Sequence, residues 1–296
     1  MKKMTDEKRF GLASTIILTI ITVITVLPII LIVVASFSDE QALLANGYSF
    51  LPEAWSIDAY LYMWNQGKTI FRAYGISILV TVVGTVASVL ITAMLAYPMS
   101  RRNFKYKNVL SFFVFFTMLF NGGIVSSYMM YSNFFHIKNT IWALIIPNYL
   151  VTAFNVFLIR NYYANNIPEA LIESAQIDGA SELRIFGRIV LPLSVPSVAT
   201  VSLFTGLCYW NDWINGLYYI RDAEYYGIQN LLIKIMNNIE FLKSGAADLL
   251  GTGNMNLPGT SVRMAMAVIG ILPIMIIYPF VQKHFIKGVV VGAVKG

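Results

Sequence analysis

The sequence predicts an all-α polytopic membrane protein with six transmembrane helices, and three observations predict it. Hydrophobic residues fill 57% of the 296 positions and charged residues 12%, with a mean hydropathy of +0.66; a soluble domain carries about 25% charged residues. The charges are confined between uncharged runs long enough to cross a bilayer. Lysine and arginine are also shared unequally between alternate connections, as they are where cytoplasmic loops collect positive charge.

Residues 1–11 are a short basic N-terminus with Lys2, Lys3, Lys8 and Arg9. The first span, 12–37, is longer than the apolar core of a cleavable signal and has no convincing small-residue cleavage site before Asp39, so it is expected to remain as a span. Residues 38–72 mix Asp39, Glu40, Glu53 and Asp58 with Phe50, Trp55 and Trp64, the composition of a folded or surface-lying loop. Span two, 73–99, is closed by Arg101, Arg102, Lys105 and Lys107. Span three, 109–135, holds Asn121-Gly122-Gly123 at its middle, a trio that ends or deforms a helix. Span four, 140–159, contains Pro147-Asn148. Span five, 189–213, is kinked or started by Pro192 and Pro196. Span six, 264–281, contains Pro273 and Pro279, and a basic, glycine-rich tail follows at 286–296.

Six spans put both termini, the Arg101 connection and the connection before span five on one side, with 14 of the 21 lysines and arginines. The other side holds Lys68, Arg72, Lys138, Arg221, Lys234, Lys243 and Arg263. Excess positive charge marks the cytoplasm, so the first group is expected there.

The long polar interruption on that side is residues 166–188. Asn166, Pro168 and Glu169 have the pattern of a helix start of the capping-box type. Leu171, Ile172 and Ala175 supply an apolar stripe, while Glu173 and Gln176 stay polar. Asp178-Gly179 favours a turn, because a C-terminal residue with positive φ is easiest for glycine. A second helix starts at Ser181, with Leu183, Phe186 and Ile189 on one side and Glu182, Arg184 and Arg188 elsewhere. The expected product is a two-helix elbow with one greasy and one charged surface, a shape that suits a groove on a soluble partner.

Glu173-Ser174-Ala175, Gly179 six residues after the glutamate, and Ile189-Val190-Leu191-Pro192 resemble the EAA loop of binding-protein-dependent ABC importer permeases. Ser174 departs from the alanine common in that loop, a small-for-small change. Ile177-Asp178-Gly179-Ala180 and Phe186 are similar to the version in carbohydrate permeases, and the likeness to the maltose-type, MetI-like permease extends over essentially the whole chain, including Trp210-Asn211-Asp212-Trp213 and the tail.

The resemblance implies a type I importer permease in a bacterial plasma membrane, multi-pass with both termini cytoplasmic. It implies half of a translocation path, shared with a second, homologous permease subunit in a heterodimer. The other implied partners are two ATP-binding subunits, an extracellular or lipid-anchored solute-binding protein and membrane lipid. ATP and magnesium would sit on the partner subunits, leaving this chain without a cofactor, metal or catalytic residue of its own. The coupling residues implied are Glu173, Ser174, Ala175, Asp178, Gly179, Ile189 and Pro192. The cargo implied is a carbohydrate, an oligosaccharide or glycan fragment; an importer of peptides or another solute is the alternative, and a secondary transporter a further one.

The outer loop, 221–263, has two parts. Ile228, Leu231, Leu232, Ile235 and Met236 have the spacing of an amphipathic helix. The stretch 251–259 is small, polar and turn-rich, and by resemblance Asn254 and Asn256 reach toward the binding protein, a flexible linker being the other reading.

Polar residues inside spans are costly unless they line a pathway or an interface. Asn148 and Asn155 are open between hydrogen bonding across helices and lining a translocation path. For Asn211 and Asp212 the reading is an aromatic belt at the outer interface, with the path as the alternative. Cys208, alone in an apolar run, is expected to be a buried thiol. Gly67-Lys68 lacks the earlier glycine of a phosphate-binding loop, and no metalloprotease or serine-hydrolase motif is present. The basic charge lies at span ends, which argues against nucleic acid as a partner.

Overall fold

The structure, a computed structural model, describes residues 6–243 and 259–293. Its elements are helices; among the described residues the β-pairing is one isolated bridge, Ser38 to Trp55. The chain divides into two compact units, residues 1–69 with 234–273, and residues 70–233 with 274–296.

In the first unit, helix α1, Asp6–Ser36, exposes its apolar side chains over residues 10–30, as a helix immersed in lipid does. Its end is pinned where Ser36 Oγ meets the Tyr60 hydroxyl at 2.7 Å and the Phe37 and Tyr60 rings stack at 4.6 Å. Asp39 caps α2, Glu40–Asn46, by accepting the N–H groups of Gln41 and Ala42. Tyr60 belongs to α3, Asp58–Asn65, so the expected loop at 38–72 is a folded segment of two short helices. The Glu40 carboxylate accepts the N–H groups of Thr260 and Ser261, each at 2.8 Å, at the start of the last helix, α15, Thr260–Ala293. Helix N-termini carry free donors and a positive dipole end, which explains why a carboxylate sits there. The backbone of α15 is continuous through span six and into the expected tail as far as Ala293.

The second unit is a packed helical body. Helix α4, Gly67–Ser100, is the second helix long and apolar enough to cross a membrane, Thr260–Ile277 within α15 being the third after Phe10–Ser36. Two further candidates are bent pairs. Helix α5, Lys107–Leu119, is followed by α6, Gly123–Met129, which runs on as a π turn to Phe134; the two differ in direction by 116°. Asn121 Oδ1 accepts the Gly123 N–H at 2.9 Å and closes the break expected at this trio.

Span four differs from the single helix expected over 140–159. Helix α7, Trp142–Ile145, stops before Pro147, Asn148 takes a left-handed φ of +69°, and α8, Ala153–Asn166, follows. Pro147 has no N–H to donate to Ala143, so the helix cannot continue through it. The segment before span five also breaks: α10, Glu182–Ile185, continues as a π turn, Phe186–Val190, and α11, Leu191–Leu193, then bends by 81° into α12, Val195–Trp210. Pro192 and Pro196 lie four apart and each lacks a helical donor, and Ser194 Oγ donates to the Leu191 carbonyl at 2.9 Å within the break.

Helix α13, Ile214–Tyr219, packs on α7, and α8 packs on both α12 and α5. Helix α14, Ile228–Lys243, buries Ile228, Leu231, Leu232 and Ile235 as expected, while Met236, expected in the same stripe, is only half-buried and Ile239 is buried in addition. Helices α4 and α12 approach so closely that a Cβ on Gly84 would lie 2.6–2.8 Å from the Tyr209 ring. That ring is held, since its hydroxyl donates to the Ile145 carbonyl at 2.7 Å.

Gly84→Ala is therefore expected to destabilise the protein by about 1–3 kcal/mol, as overpacking does, while Gly75→Ala, in open space on the same helix, changes little. Thermal unfolding of both variants in detergent checks this; equal midpoints would mean the contact yields freely.

Candidate functional site

The elbow is built on α9, Glu169–Ile177, and α10. Its entry differs from the expected capping box: Asn166 is the last residue of α8, its amide donates back to the Tyr162 carbonyl, and the cap position of α9 falls on Pro168. The proline ring fixes φ of Pro168 and keeps the residue before it out of the helical region, which separates the two helices without help from a side chain.

Helix α9 ends in a Schellman turn. Gly179 has φ +77°, its N–H donates to the Gln176 carbonyl at 3.0 Å, and the Ala180 N–H reaches the Ala175 carbonyl at 2.9 Å. This left-handed residue sets the angle between the two elbow helices, and glycine takes it without the steric cost of a Cβ.

The inner face of the elbow is buried. Ile172, Ile185, Phe186 and Val190 share a core with Ala93, Ala96, Tyr97 and Met99 of α4 and Val156 and Ile159 of α8. Ala175 and Ile189 are half-buried against that core. Polar contacts fix the same joint: Gln176 Nε2 donates to Glu182 Oε1 at 2.7 Å, and the Tyr97 hydroxyl donates to Glu182 Oε2 at 2.5 Å. Arg102 pairs with Glu169 at 3.2 Å.

Glu173, Ser174, Asp178 and Pro192 are all exposed, as are Arg184 and Arg188. The elbow also exposes two large apolar side chains, Ile177 at 86% and Leu183 at 75%. Leu183 is expected on the greasy inner side, but the single turn of α10 buries only Ile185, the π turn after it burying Phe186 and Val190, and Leu183 is left out. Apolar residues presented on a rigid support among charges of both signs form a surface suited to a protein partner.

A second polar group gathers around the break in span four. Asn148 Nδ2 donates to Asn215 Oδ1 at 2.8 Å, and Asn215 Nδ2 donates to the Pro147 carbonyl at 3.3 Å. Asp212 Oδ1 accepts the N–H groups of Ile214 and Asn215 and so starts α13. Asn211 is exposed and bonds back to Leu207. Trp210 is buried beside Tyr74, so only Trp213 of that pair has the exposure an aromatic belt requires. Asn155 Nδ2 donates to Thr205 Oγ1 at 3.2 Å, tying α8 to α12. This pair lies in the wall of an open cavity of about 500 Å³ that Tyr149, Thr152, Phe154 and Cys208 also line. Cys208 is exposed among the described residues, contrary to the buried thiol expected, and it lines the open cavity. Asn254 and Asn256 lie outside the described residues.

Four participants escaped the sequence reading. Ile177 and Leu183 look like ordinary core residues until the turn geometry is known, although their positions flanking Gly179 were a usable signal. Asn215 and Tyr97 gave none, since each is one polar group in an apolar run.

Residues 84–291 match the family described as binding-protein-dependent transport system inner membrane component. A polygalacturonan/rhamnogalacturonan transport system permease protein of Bacillus subtilis (strain 168) is 37% identical over 265 residues, 90% of this chain and 91% of that protein. An arabinooligosaccharides transport system permease protein of Halalkalibacterium halodurans is 29% identical over 276 residues, 90% of this chain and 89% of its own. Among solved structures, a chain of a bacterial ABC transporter involved in the import of the acidic polysaccharide alginate aligns with a TM-score of 0.79 at 28% identity, covering 96% of this chain and all of that one.

The elbow joint has a pH dependence of definite sign. The hydrogen bond from Tyr97 holds the Glu182 carboxyl below its ordinary value of 4.5, aided by Gln176 and Arg101 and opposed by partial burial. A carboxyl lowered in the folded state stabilises the fold above its unfolded value, and that contribution fades as the pH falls through the lowered one. Hydrogen exchange across residues 169–185, corrected for intrinsic rates, is expected to lose protection below about pH 4.3 in the parent and to vary less in Glu182→Gln. Identical profiles would remove Glu182 from the joint.

Proposed function

Because the chain belongs to the family of binding-protein-dependent transport system inner membrane components, we propose that it is one permease subunit of an ATP-driven importer and that its elbow is where ATP-binding subunits dock. The observation that carries this is the family match, spanning α4 through α15, together with an elbow that seats its inner face in the core of the same body and exposes Ile177 and Leu183 outward. ATP hydrolysis belongs to the partners in this reading. The chain's own residues supply the lever: Gly179 fixes the elbow angle, Ala175 and Ile189 bed it, and Glu173, Ser174, Asp178 and Pro192 line the docking surface beside the exposed apolar pair.

The excess of lysine and arginine on the connections at 100–108 and 160–188 supports a cytoplasmic elbow, and with it cytoplasmic termini. A second, homologous permease completes the path. An extracellular solute-binding protein delivers the cargo, with Asn254 and Asn256 in the loop that meets it. The path is proposed to run along the largely apolar wall of the open cavity of the larger unit, where Asn155 and Thr205 bond to each other.

The cargo we propose is an oligosaccharide. Its support is that the two related permeases described above are named for polygalacturonan/rhamnogalacturonan and for arabinooligosaccharides, and that the related importer of known structure takes alginate. Uptake by the assembled importer, measured with galacturonate oligomers, arabinose oligomers and an oligopeptide of matched size, is expected to favour a sugar oligomer; uptake of the peptide alone would reject the carbohydrate reading.

Glu173→Ala is expected to leave the chain inserted but to lose ATPase association or cargo-stimulated hydrolysis. Removing one partner of a desolvated charge pair costs about 3–5 kcal/mol, which weakens a contact by two or more orders of magnitude. Normal transport by purified complexes carrying this substitution would show that Glu173 takes no part in coupling.

A further inference from the structure

Helices α4, α9 and α10 meet at one carboxylate. We propose, resting on the docking reading above, that Tyr97 and Glu182 form a positioning pair that locks the elbow to α4, so that α4 follows the elbow when the ATP-binding subunits move it.

The geometry separates this joint from the other attachments of the elbow. Each Glu182 oxygen has its own donor, the Tyr97 hydroxyl on α4 at 2.5 Å and the Gln176 amide on α9 at 2.7 Å, while Glu182 itself stands at the start of α10. Tyr97 cannot swing to track an independent elbow, because its ring is buried, 9% exposed, with the Phe186 ring 5.5 Å away. The Arg102–Glu169 pair is different: the arginine is 84% exposed, and an ion pair in water holds little. The apolar contacts beneath the elbow are strong but non-directional, so they allow one helix to slide on another. A charge-assisted hydrogen bond from a fixed ring is directional and sets the register of α10 along α4.

A tyrosine is therefore required at position 97 for its hydroxyl as well as for its ring. Phenylalanine would fill the same space and keep the packing, yet release the register. The predicted consequence is an elbow that still binds its partner and still moves, while α4 stays behind.

The test uses the assembled importer with its second permease and ATP-binding subunits, in a Cys208→Ser background that removes the single native cysteine. Cysteines at Ala170, exposed on α9, and Asn103, exposed just past α4, carry spin labels. Their separation is measured by pulsed EPR without nucleotide and with ATP and vanadate.

In the parent the two distributions should coincide, because both labels ride on one body. In Tyr97→Phe the nucleotide is expected to shift the distribution by about 5 Å, one helical turn, with unchanged subunit stoichiometry. Glu182→Gln keeps an oxygen that accepts from Tyr97 and should behave like the parent; Glu182→Ala, at an exposed carboxylate, should shift as Tyr97→Phe does and serves if that variant does not assemble. A purely stabilising role would lower yield or melting temperature in these variants without making the distance depend on nucleotide. Nucleotide-independent distances in both Tyr97→Phe and Glu182→Ala complexes would overturn the proposal. Failure of the docking reading would look different, as parent complexes from which the ATP-binding subunits are absent.

Discussion

The burial of the elbow's inner face against α4 and α8 is the constraint on which the rest of the larger unit depends. Ile172, Ile185, Phe186 and Val190 lie in the same core as Ala96, Met99, Val156 and Ile159. Burying a large apolar side chain is worth about 1.5–3 kcal/mol, so these residues seat a polar, cytoplasmic-type segment firmly on membrane helices. These contacts hold the elbow against both helices, and the hydrogen bond from Tyr97 to Glu182 adds a directional tie to α4. The Schellman turn at Gly179 fixes where α10 leaves α9, and the outward residues, Ile177 and Leu183 among them, follow from that angle. The same seating carries the chain into the π turn and the proline-broken entry to α12. The outward-facing surface of the elbow is thus a by-product of core packing.

Broken helices raise a second demand, because an unsatisfied backbone group in hydrocarbon costs several kcal/mol. The chain meets it with side-chain amides and hydroxyls. Asn215 donates to the Pro147 carbonyl, Asn121 accepts at Gly123, and Ser194 donates at the bend before α12. Asn148, which a sequence reader would place on a pathway as readily as in a joint, bonds to Asn215. Asn155 differs, since it ties two helices together while also lining an open cavity.

What the sequence disclosed follows from which forces act locally. The helical class, the break at Asn121-Gly122-Gly123, the stop at Gly179 and the stripe of Ile228, Leu231, Leu232 and Ile235 depend on periodicity, glycine and proline, and these were legible. The family was legible because the spacing from Glu173 to Gly179 to Ile189 reports the elbow's turn geometry directly. What stayed hidden depends on tertiary neighbours. Asn166 resembles a cap but ends a helix, because Pro168 already separates α8 from α9. Cys208 looks buried in an apolar run, yet it lies exposed in the wall of an open cavity. The Tyr97–Glu182 bond joins residues 85 positions apart, and no local pattern announces such a pair.

The claim that the elbow is the seat of an ATP-binding subunit is tested most directly at Ile177, the most exposed apolar residue on it. A photo-crosslinking amino acid placed there, in cells expressing the whole importer, should join this chain to the ATP-binding subunit, and the adduct should change in yield when nucleotide is trapped. Crosslinks to lipid alone, or to an extracellular binding protein, would contradict the account.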